Sequence, residues 1–198
     1  VSPGAILHAV EVYPPSIDRL RSIGVRVFPM DIEREAVPLE SQCVDLIIVN
    51  QVLEHVKEIY WVFHEITRLL PVGGHLIVGV PNLASLHNRL FLALGRQPTS
   101  IKMNSAHVRG FTRGDFLQFL EEIYPGGYRL KAFRGANFYP FPPILARPLS
   151  RALPNFAWGM FLLLRKERDY HHEFLDAPIH QELETNYFLG DYENRSYP

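Results

Sequence analysis

The chain has 198 residues, of which 47% are hydrophobic and 21% are charged, and its formal net charge is −1. This composition is typical of one globular domain and excludes a chain that is disordered over most of its length. The near-neutral charge does not indicate a nucleic-acid partner, and no apolar stretch reaches the roughly 20 residues that a transmembrane helix needs. The only cysteine, Cys43, cannot form an intrachain disulfide, which favours a cytoplasmic location.

Strands and helices alternate in the first half of the chain. Segments rich in apolar and β-branched side chains predict strands at residues 5–12, 25–31, 44–49 and 75–81. Apolar residues that recur every three or four positions, together with capping and terminating residues, predict helices at 16–24 and 57–70. Each of these helices would connect two neighbouring strands.

The second half continues this alternation less regularly. Leucines at helical spacing predict a core-facing helix over residues 83–94, and Thr112 with Asp115 forms a capping box at the start of another helix. Two further strands are predicted at residues 128–135 and 157–167. Proline-rich, irregular chain separates these two strands instead of a clear crossover helix, so we expect one of them to run antiparallel.

This order of elements predicts a doubly wound α/β fold with a mostly parallel sheet and helices on both faces. One antiparallel strand is expected near the C-terminal end. We assign residues 1–167 to this domain. Residues 168–198 are predicted to form a tail or arm that packs against the domain or against a neighbouring subunit, which leaves a homodimer open.

Three successive strands end in a polar side chain, namely Glu11, Asp31 and Asn50. In open α/β sheets, ligands bind beyond the carboxyl ends of the strands. A carboxylate such as that of Glu11 has two acceptor oxygens for a ribose diol, and Asp31 could accept from the amino group of a purine. Asn50 and Gln51 lie where a ligand's polar end would be. The sequence therefore predicts a nucleoside site at this edge.

The motifs also carry a family resemblance, which covers residues 6–167. The chain resembles the class I S-adenosylmethionine-dependent methyltransferases in five motifs that occur in the same order. These are an acidic residue after each of two early strands (Glu11 and Asp31), an apolar strand that begins with Asp (45–49), Leu-Glu-His (53–55) and Leu-Pro-x-Gly-Gly (70–74). The segments "PNLASLHNRLFLALGR" and "HVRGFTRGDFLQFLEE" resemble a branch associated with cell-surface polysaccharide assembly.

This resemblance implies a Rossmann-like fold, S-adenosylmethionine as cofactor, and a small-molecule or carbohydrate-like methyl acceptor. It also implies cofactor-binding residues along the strand ends: Glu11 and Val12 at the ribose, Asp31 and Ile32 at the adenine, and Asn50 and Gln51 at the methionine end. His55 and His107 are the candidate general bases. His55 lies just past the strand that ends near Asn50, close to where the sulfonium would be, and His107 precedes the predicted capped helix, where it could border the acceptor pocket. Either histidine could instead be structural.

The glycine-rich loop and the first strand of this family are not found before Glu11, so we expect an N-terminally incomplete copy with a gap in its sheet. Two alternatives remain: a non-catalytic binding module with this fold, and an NAD-dependent Rossmann oxidoreductase. No metal site is expected. The histidines His171, His172 and His180 match no usual zinc spacing.

Overall fold

The computed structural model describes residues 4–183 and residue 185. This part of the chain contains six strands: β1 (His8–Val10), β2 (Arg26–Phe28), β3 (Leu46–Asn50), β4 (His75–Pro81), β5 (Tyr128–Ala136) and β6 (Gly159–Lys166). It also contains six α-helices: α1 (Pro14–Ser22), α2 (Ile59–Leu69), α3 (Leu86–Ala93), α4 (Arg113–Ile123), α5 (Pro143–Ala152) and α6 (Glu173–His180). None of these helices is long and apolar enough to cross a membrane.

The larger sheet has the strand order β3-β4-β6-β5. The ladder between β3 and β4 is parallel, whereas β6 runs antiparallel to both of its neighbours. The predicted antiparallel strand near the C-terminal end is therefore confirmed, and it is β6. In this register, Asn50 at the end of β3 lies beside Gly79 of β4, which lies beside Phe161 of β6.

One face of this sheet carries the main hydrophobic core. Helices α2, α4 and α6 pack their buried side chains against alternate residues of β4 and β6; the sheet contributes Leu76, Val78, Val80, Met160, Leu162 and Leu164. On β3 the same face carries the buried Val49. The opposite face of β3 remains open, with Leu46 47% and Ile48 62% exposed. Because side chains alternate along a strand, Asn50 shares this open face with Leu46 and Ile48.

The sheet is divided at the position where the sequence predicted a gap. Strands β1 and β2 form a separate parallel pair, and no ladder joins them to β3 in the described residues. A cleft of about 330 Å³ lies between the two parts. It is lined mainly by apolar side chains, among them Val10, Phe28, Ile32, Ile47 and Val49.

Side chains satisfy backbone groups at the start of α4 and at the end of α2. At the start of α4, Thr112 Oγ1 accepts the backbone N–H of Asp115 at 3.2 Å, which confirms Thr112 as the predicted N-cap. The Asp115 carboxylate accepts from the Thr112 hydroxyl at 2.8 Å instead of from its backbone N–H, so the reciprocal bond of a capping box is replaced by a side-chain bond. At the end of α2, the buried Lys166 Nζ donates to the carbonyl oxygens of Thr67 and Leu70 at 2.9 and 2.7 Å. A positive charge here also complements the helix dipole, and burial lowers the pKa of this lysine.

The sequence predicted irregular chain in the proline-rich segment between β5 and β6, but this segment contains the helix α5. Pro143 lies in the first turn, where a proline has no N–H to lose and its fixed φ suits a helix. Pro148 lies inside the helix, and the buried residues Ala146 and Ser150 hold this face against the domain. Packing thus offsets the helix-breaking tendency of Pro148.

The prediction of a core-facing leucine helix is wrong for most of α3. Leu90 and Leu94 are 56% and 74% exposed, whereas the buried residues of this helix are His87 and Asn88. Asn88 explains this orientation, because its side chain accepts from Thr99 and donates to the carbonyl oxygen of Asn82. Polar contacts with the following loop, rather than apolar periodicity, therefore set the inward face of α3.

Part of the segment assigned to a tail belongs to the packed domain. Residues 173–180 form α6, which packs against α2, and Phe174 is fully buried in the main core. The helix starts after His172, whose φ of 69° turns the chain sharply. Residue 184 and residues 186–198, the remainder of the predicted tail or arm, lie outside the described residues.

Candidate active site

Glu11 directly follows β1, and one of its carboxylate oxygens is already used by the protein. Oε1 accepts hydrogen bonds from the backbone N–H groups of Val12 and Tyr13, both at 2.9 Å. These groups precede α1, so the carboxylate fixes the turn into that helix. Oε2 has no hydrogen-bond partner in the described part of the chain. One oxygen of Glu11, not the pair that the sequence suggested, is therefore free for a ligand.

Asp31 lies in the turn after β2, and its side chain is engaged locally. Oδ1 accepts the backbone N–H of Glu33 at 2.9 Å, and Oδ2 forms an exposed ion pair with Arg34 at 3.6 Å. This is the usual turn chemistry of aspartate. The neighbouring Ile32 is half-buried and lines the cleft between the two sheets. Of these two predicted adenine contacts, Ile32 is the one whose side chain faces the cleft, where a ligand could contact it.

Asn50 ends β3 with its side chain lying over β4. Its Oδ1 occupies the space above Gly79, where an added Cβ would lie only 2.3 Å away. The next residue, Gln51, has a φ of 55°, which is uncommon for a residue other than glycine. Its backbone N–H still bonds to the Gly79 carbonyl oxygen at 2.8 Å, so the chain turns sharply at the strand end. Both side chains are exposed there.

The structure brings the two predicted catalytic histidines together, although they are 52 positions apart. The rings of His55 and His107 lie 4.7 Å apart between centroids, with an interplanar angle of 77°. The Nδ1–H group of His55 donates to the carbonyl oxygen of Ala106 at 3.2 Å, and that of His107 donates to Ser100 at 2.7 Å. Each ring therefore presents its Nε2 lone pair as the available base.

Glu54 completes this group, and the sequence did not single it out as a site residue. Its side chain is 1% exposed, and neither carboxylate oxygen has a hydrogen-bond partner among the described residues. Its backbone oxygen accepts the N–H groups of Val108 and Arg109 at 2.9 and 3.3 Å. These two bonds tie the segment that carries His107 to the end of β3.

Two other carboxylates hold the surrounding loops, and the sequence gave no signal for either. Glu33 accepts the backbone N–H groups of Lys57 and Glu58 at the start of α2. The buried Glu65 pairs with Arg68 at 2.7 Å, and the hydrogen bond from this pairing raises the pKa of Arg68. Glu33 thus links the loop that follows β2 to the start of α2, and Glu65 makes a second link by accepting the backbone N–H of Val37 at 2.7 Å.

A second, more open cleft of about 740 Å³ lies beside the start of α4. Two arginines line it, each placed over an aromatic ring: Arg89 over Phe156 at 5.1 Å and Arg113 over Phe133 at 4.8 Å. The buried Asn82 also borders this cleft, and its amide donates to backbone carbonyl oxygens before β6. The cleft therefore combines apolar rings with positive charge.

The first part of the chain matches a known family model. Residues 2–78 match the model of a family described as a methyltransferase domain. This range includes Glu11, Asp31, Asn50 and His55, but it ends before His107. No curated protein matches the sequence.

Solved structures extend the likeness over most of the chain. A methyltransferase from Thermotoga maritima that depends on S-adenosylmethionine is 19% identical, with a TM-score of 0.57 over 82% of this chain and 73% of that one. One from Mesorhizobium loti is 17% identical, with a TM-score of 0.53 over 81% and 80% of the two chains. The fold is the Rossmann-like methyltransferase fold. The α/β class with a Rossmann-like methyltransferase fold, predicted from the sequence, is thus confirmed.

A third protein with the methyltransferase fold was solved with ligands. This 1,6-didemethyltoxoflavin N1-methyltransferase from Burkholderia thailandensis contains bound 1,6-didemethyltoxoflavin and S-adenosylhomocysteine. It is 14% identical, with a TM-score of 0.51 over 83% of this chain and 63% of that one. At such identities the likeness concerns the fold, and the fold alone does not determine the reaction.

Proposed function

We propose that this chain binds S-adenosylmethionine at the ends of β1 and β3 and transfers its methyl group to a small-molecule or carbohydrate-like acceptor. The observation that carries the proposal is the free Oε2 of Glu11, which follows the cleft-lining Val10 and lies within the region that matches a methyltransferase domain. Glu11 would accept from the ribose, Val12 and Ile32 would contact the nucleoside, and Asp31 would border the adenine. Asn50 and Gln51 would hold the methionine end.

The protein's contribution to such a transfer is alignment. Because the sulfonium of the cofactor is already activated, holding donor and acceptor in line can account for about 7–11 kcal/mol of the barrier. A hydroxyl acceptor also has to lose a proton. The Nε2 atoms of His55 and His107 form no hydrogen bond with the described residues and are available for that purpose. The cleft beside Arg89 and Arg113 could receive a hydroxyl-rich or anionic acceptor.

Calorimetry on the chain tests the cofactor first. S-adenosylmethionine and S-adenosylhomocysteine should bind, and NAD should not; binding of NAD alone would assign the chain to the oxidoreductases instead. Cofactor binding without methyl transfer to any of a panel of hydroxylated acceptors would favour the non-catalytic binding module. The cytoplasmic location and the homodimer stay predictions from the sequence.

A substitution of Glu11 tests the proposed ribose contact selectively. Glu11→Gln keeps an oxygen that can accept from Val12 and Tyr13, but it removes the charge and the second acceptor. We expect a loss of about 1–3 kcal/mol in S-adenosylhomocysteine binding, or about 5- to 150-fold in Kd, with little change in Tm. Glu122→Gln on the exposed side of α4 is the matched control. Equal affinities of the two variants would remove Glu11 from the site.

A further inference from the structure

Three metal-ligating side chains converge beyond the end of β3. One ligand atom each from Glu54, His55 and His107 lies within 4.8 Å of the other two, and they are the one such group in the described part of the chain. The carboxylate is close to both rings, yet no ion pair within 4.0 Å joins it to either in the described residues. The three groups thus surround a gap that is too wide for direct hydrogen bonds.

The second observation is that the buried carboxylate of Glu54 lacks hydrogen-bond partners among the described residues. A carboxylate that is 99% buried normally accepts several hydrogen bonds, because an unpaired buried charge is strongly disfavoured. Both oxygens of Glu54 have no such partner in the residues described. A cation in the gap would supply the missing counter-charge.

The hydrogen bonds of His55 and His107 also orient both rings as metal ligands. Both Nδ1–H groups donate to backbone carbonyl oxygens, those of Ala106 and Ser100, which fixes the tautomer that leaves Nε2 unprotonated. A hydrogen bond of this kind on the non-ligating nitrogen is the usual outer-shell support of a metal-bound histidine. Ligand atoms that share an ion at about 2.0–2.2 Å are at most about 4.4 Å apart, so small side-chain rotations would close the site.

We propose that Glu54, His55 and His107 bind one divalent transition-metal ion, with a Glu54 carboxylate oxygen and the two Nε2 atoms as ligands. Two imidazoles and one carboxylate suit Zn²⁺, Mn²⁺, Fe²⁺ or Co²⁺ better than Mg²⁺ or Ca²⁺, which prefer oxygen ligands. His55 is exposed, so the remaining coordination positions face solvent and can hold water or an acceptor oxygen. An ion here uses the same Nε2 atoms that general bases would use. The binding of the ion does not rest on the proposed function.

Metal titration of the tag-free chain, after treatment with a chelator, tests the site without any methyl acceptor. We expect Zn²⁺ and Co²⁺ to bind with a stoichiometry of one, more tightly than Mg²⁺, and to raise the Tm. His55→Gln and His107→Gln should each weaken binding by about tenfold or more. His180→Gln is the matched control, because among the described residues that exposed ring bonds to its own helix alone.

Glu54→Gln provides a readout that separates a ligand from a structural residue. It should weaken metal binding, yet leave the Tm of the metal-free protein unchanged or higher, because it removes an unpaired buried charge. Absence of saturable binding by Zn²⁺, Co²⁺ and Mn²⁺ would overturn the proposal, as would binding that both histidine variants retain in full. Loss of binding in Cys43→Ser would instead place the ion at the exposed thiol. Because no cofactor is present, these outcomes are independent of S-adenosylmethionine binding.

Discussion

His64 should make the stability of the fold depend on pH. This histidine is 5% exposed on α2, and its Nδ1 lies 2.9 Å from the hydroxyl group of Tyr170. Burial lowers its pKa from 6.5 to about 4, an effect that the neighbouring Glu65 partly opposes and that His172 and Arg68 reinforce. The folded protein therefore keeps this ring neutral at pH values where the unfolded chain binds a proton.

The sign and size of the effect follow from this difference. Above pH 6.5 the ring is neutral in both states, and its contribution to the free energy of unfolding is fully present. As the pH falls from 6.5 to about 4, the unfolded state gains a proton that the folded state does not, so stability decreases. A shift of about 2.5 units at 1.36 kcal/mol per unit gives a total loss of about 3 kcal/mol. Between pH 7 and 5, we expect about 2 kcal/mol.

Urea unfolding at pH 7 and pH 5 measures this loss directly. His64→Gln keeps a partner for Tyr170 but cannot titrate, so the variant should lose about 2 kcal/mol less than the wild-type protein over that interval. Charged groups remote from His64 contribute equally to both proteins and cancel in the comparison. The same pH-dependent loss in wild type and variant would refute the assignment of a depressed pKa to His64.

Two further substitutions test the contact of Lys166 with the end of α2 and the placement of Asn50 at the candidate cofactor site. Lys166→Met keeps the buried stem but removes the donor to the Thr67 and Leu70 carbonyl oxygens, so the free energy of unfolding should fall by about 1–3 kcal/mol in urea titrations; an unchanged value would contradict the capping role. Gly79→Ala places a Cβ 2.3 Å from Asn50 Oδ1 and 2.6 Å from the ring of Phe161, so both side chains must move, and calorimetry should show about tenfold weaker binding of S-adenosylhomocysteine. Undiminished affinity would separate Asn50 from the cofactor site.

The sequence predicted the elements whose local signals agreed with their packing. β4 and the capped α4 are examples, because a continuous apolar run and a Thr-Asp cap remain valid whatever surrounds them. α5 was missed because Pro148 outweighs its helical pattern locally, whereas burial of Ala146 decides it in the fold. In α3, the polar contacts of Asn88 determined the inward face that leucine periodicity had assigned elsewhere.

The candidate site likewise contains residues that the sequence could predict and contacts that it could not. Residues at strand ends, such as Glu11 and Asn50, could be found because topology alone places them at one edge of the sheet. What a side chain does there depends on its hydrogen bonds, and Asp31 illustrates this, since Glu33 and Arg34 already engage its carboxylate. No pattern in the sequence reports that kind of local competition.

Glu54 is the strongest case of information that exists only in three dimensions. Its sequence neighbours explain why the chain turns after β3, but not why a buried carboxylate there has no hydrogen-bond partner in the described part of the chain. The explanation requires the segment at 107–109, which the Glu54 backbone oxygen holds in place through the amides of Val108 and Arg109. The same residue thus positions His107 through its main chain and faces it through its side chain. A group arranged in this way is unfavourable for stability unless a cation completes it, and that is the physical reason to seek the ion before assigning either histidine as a base.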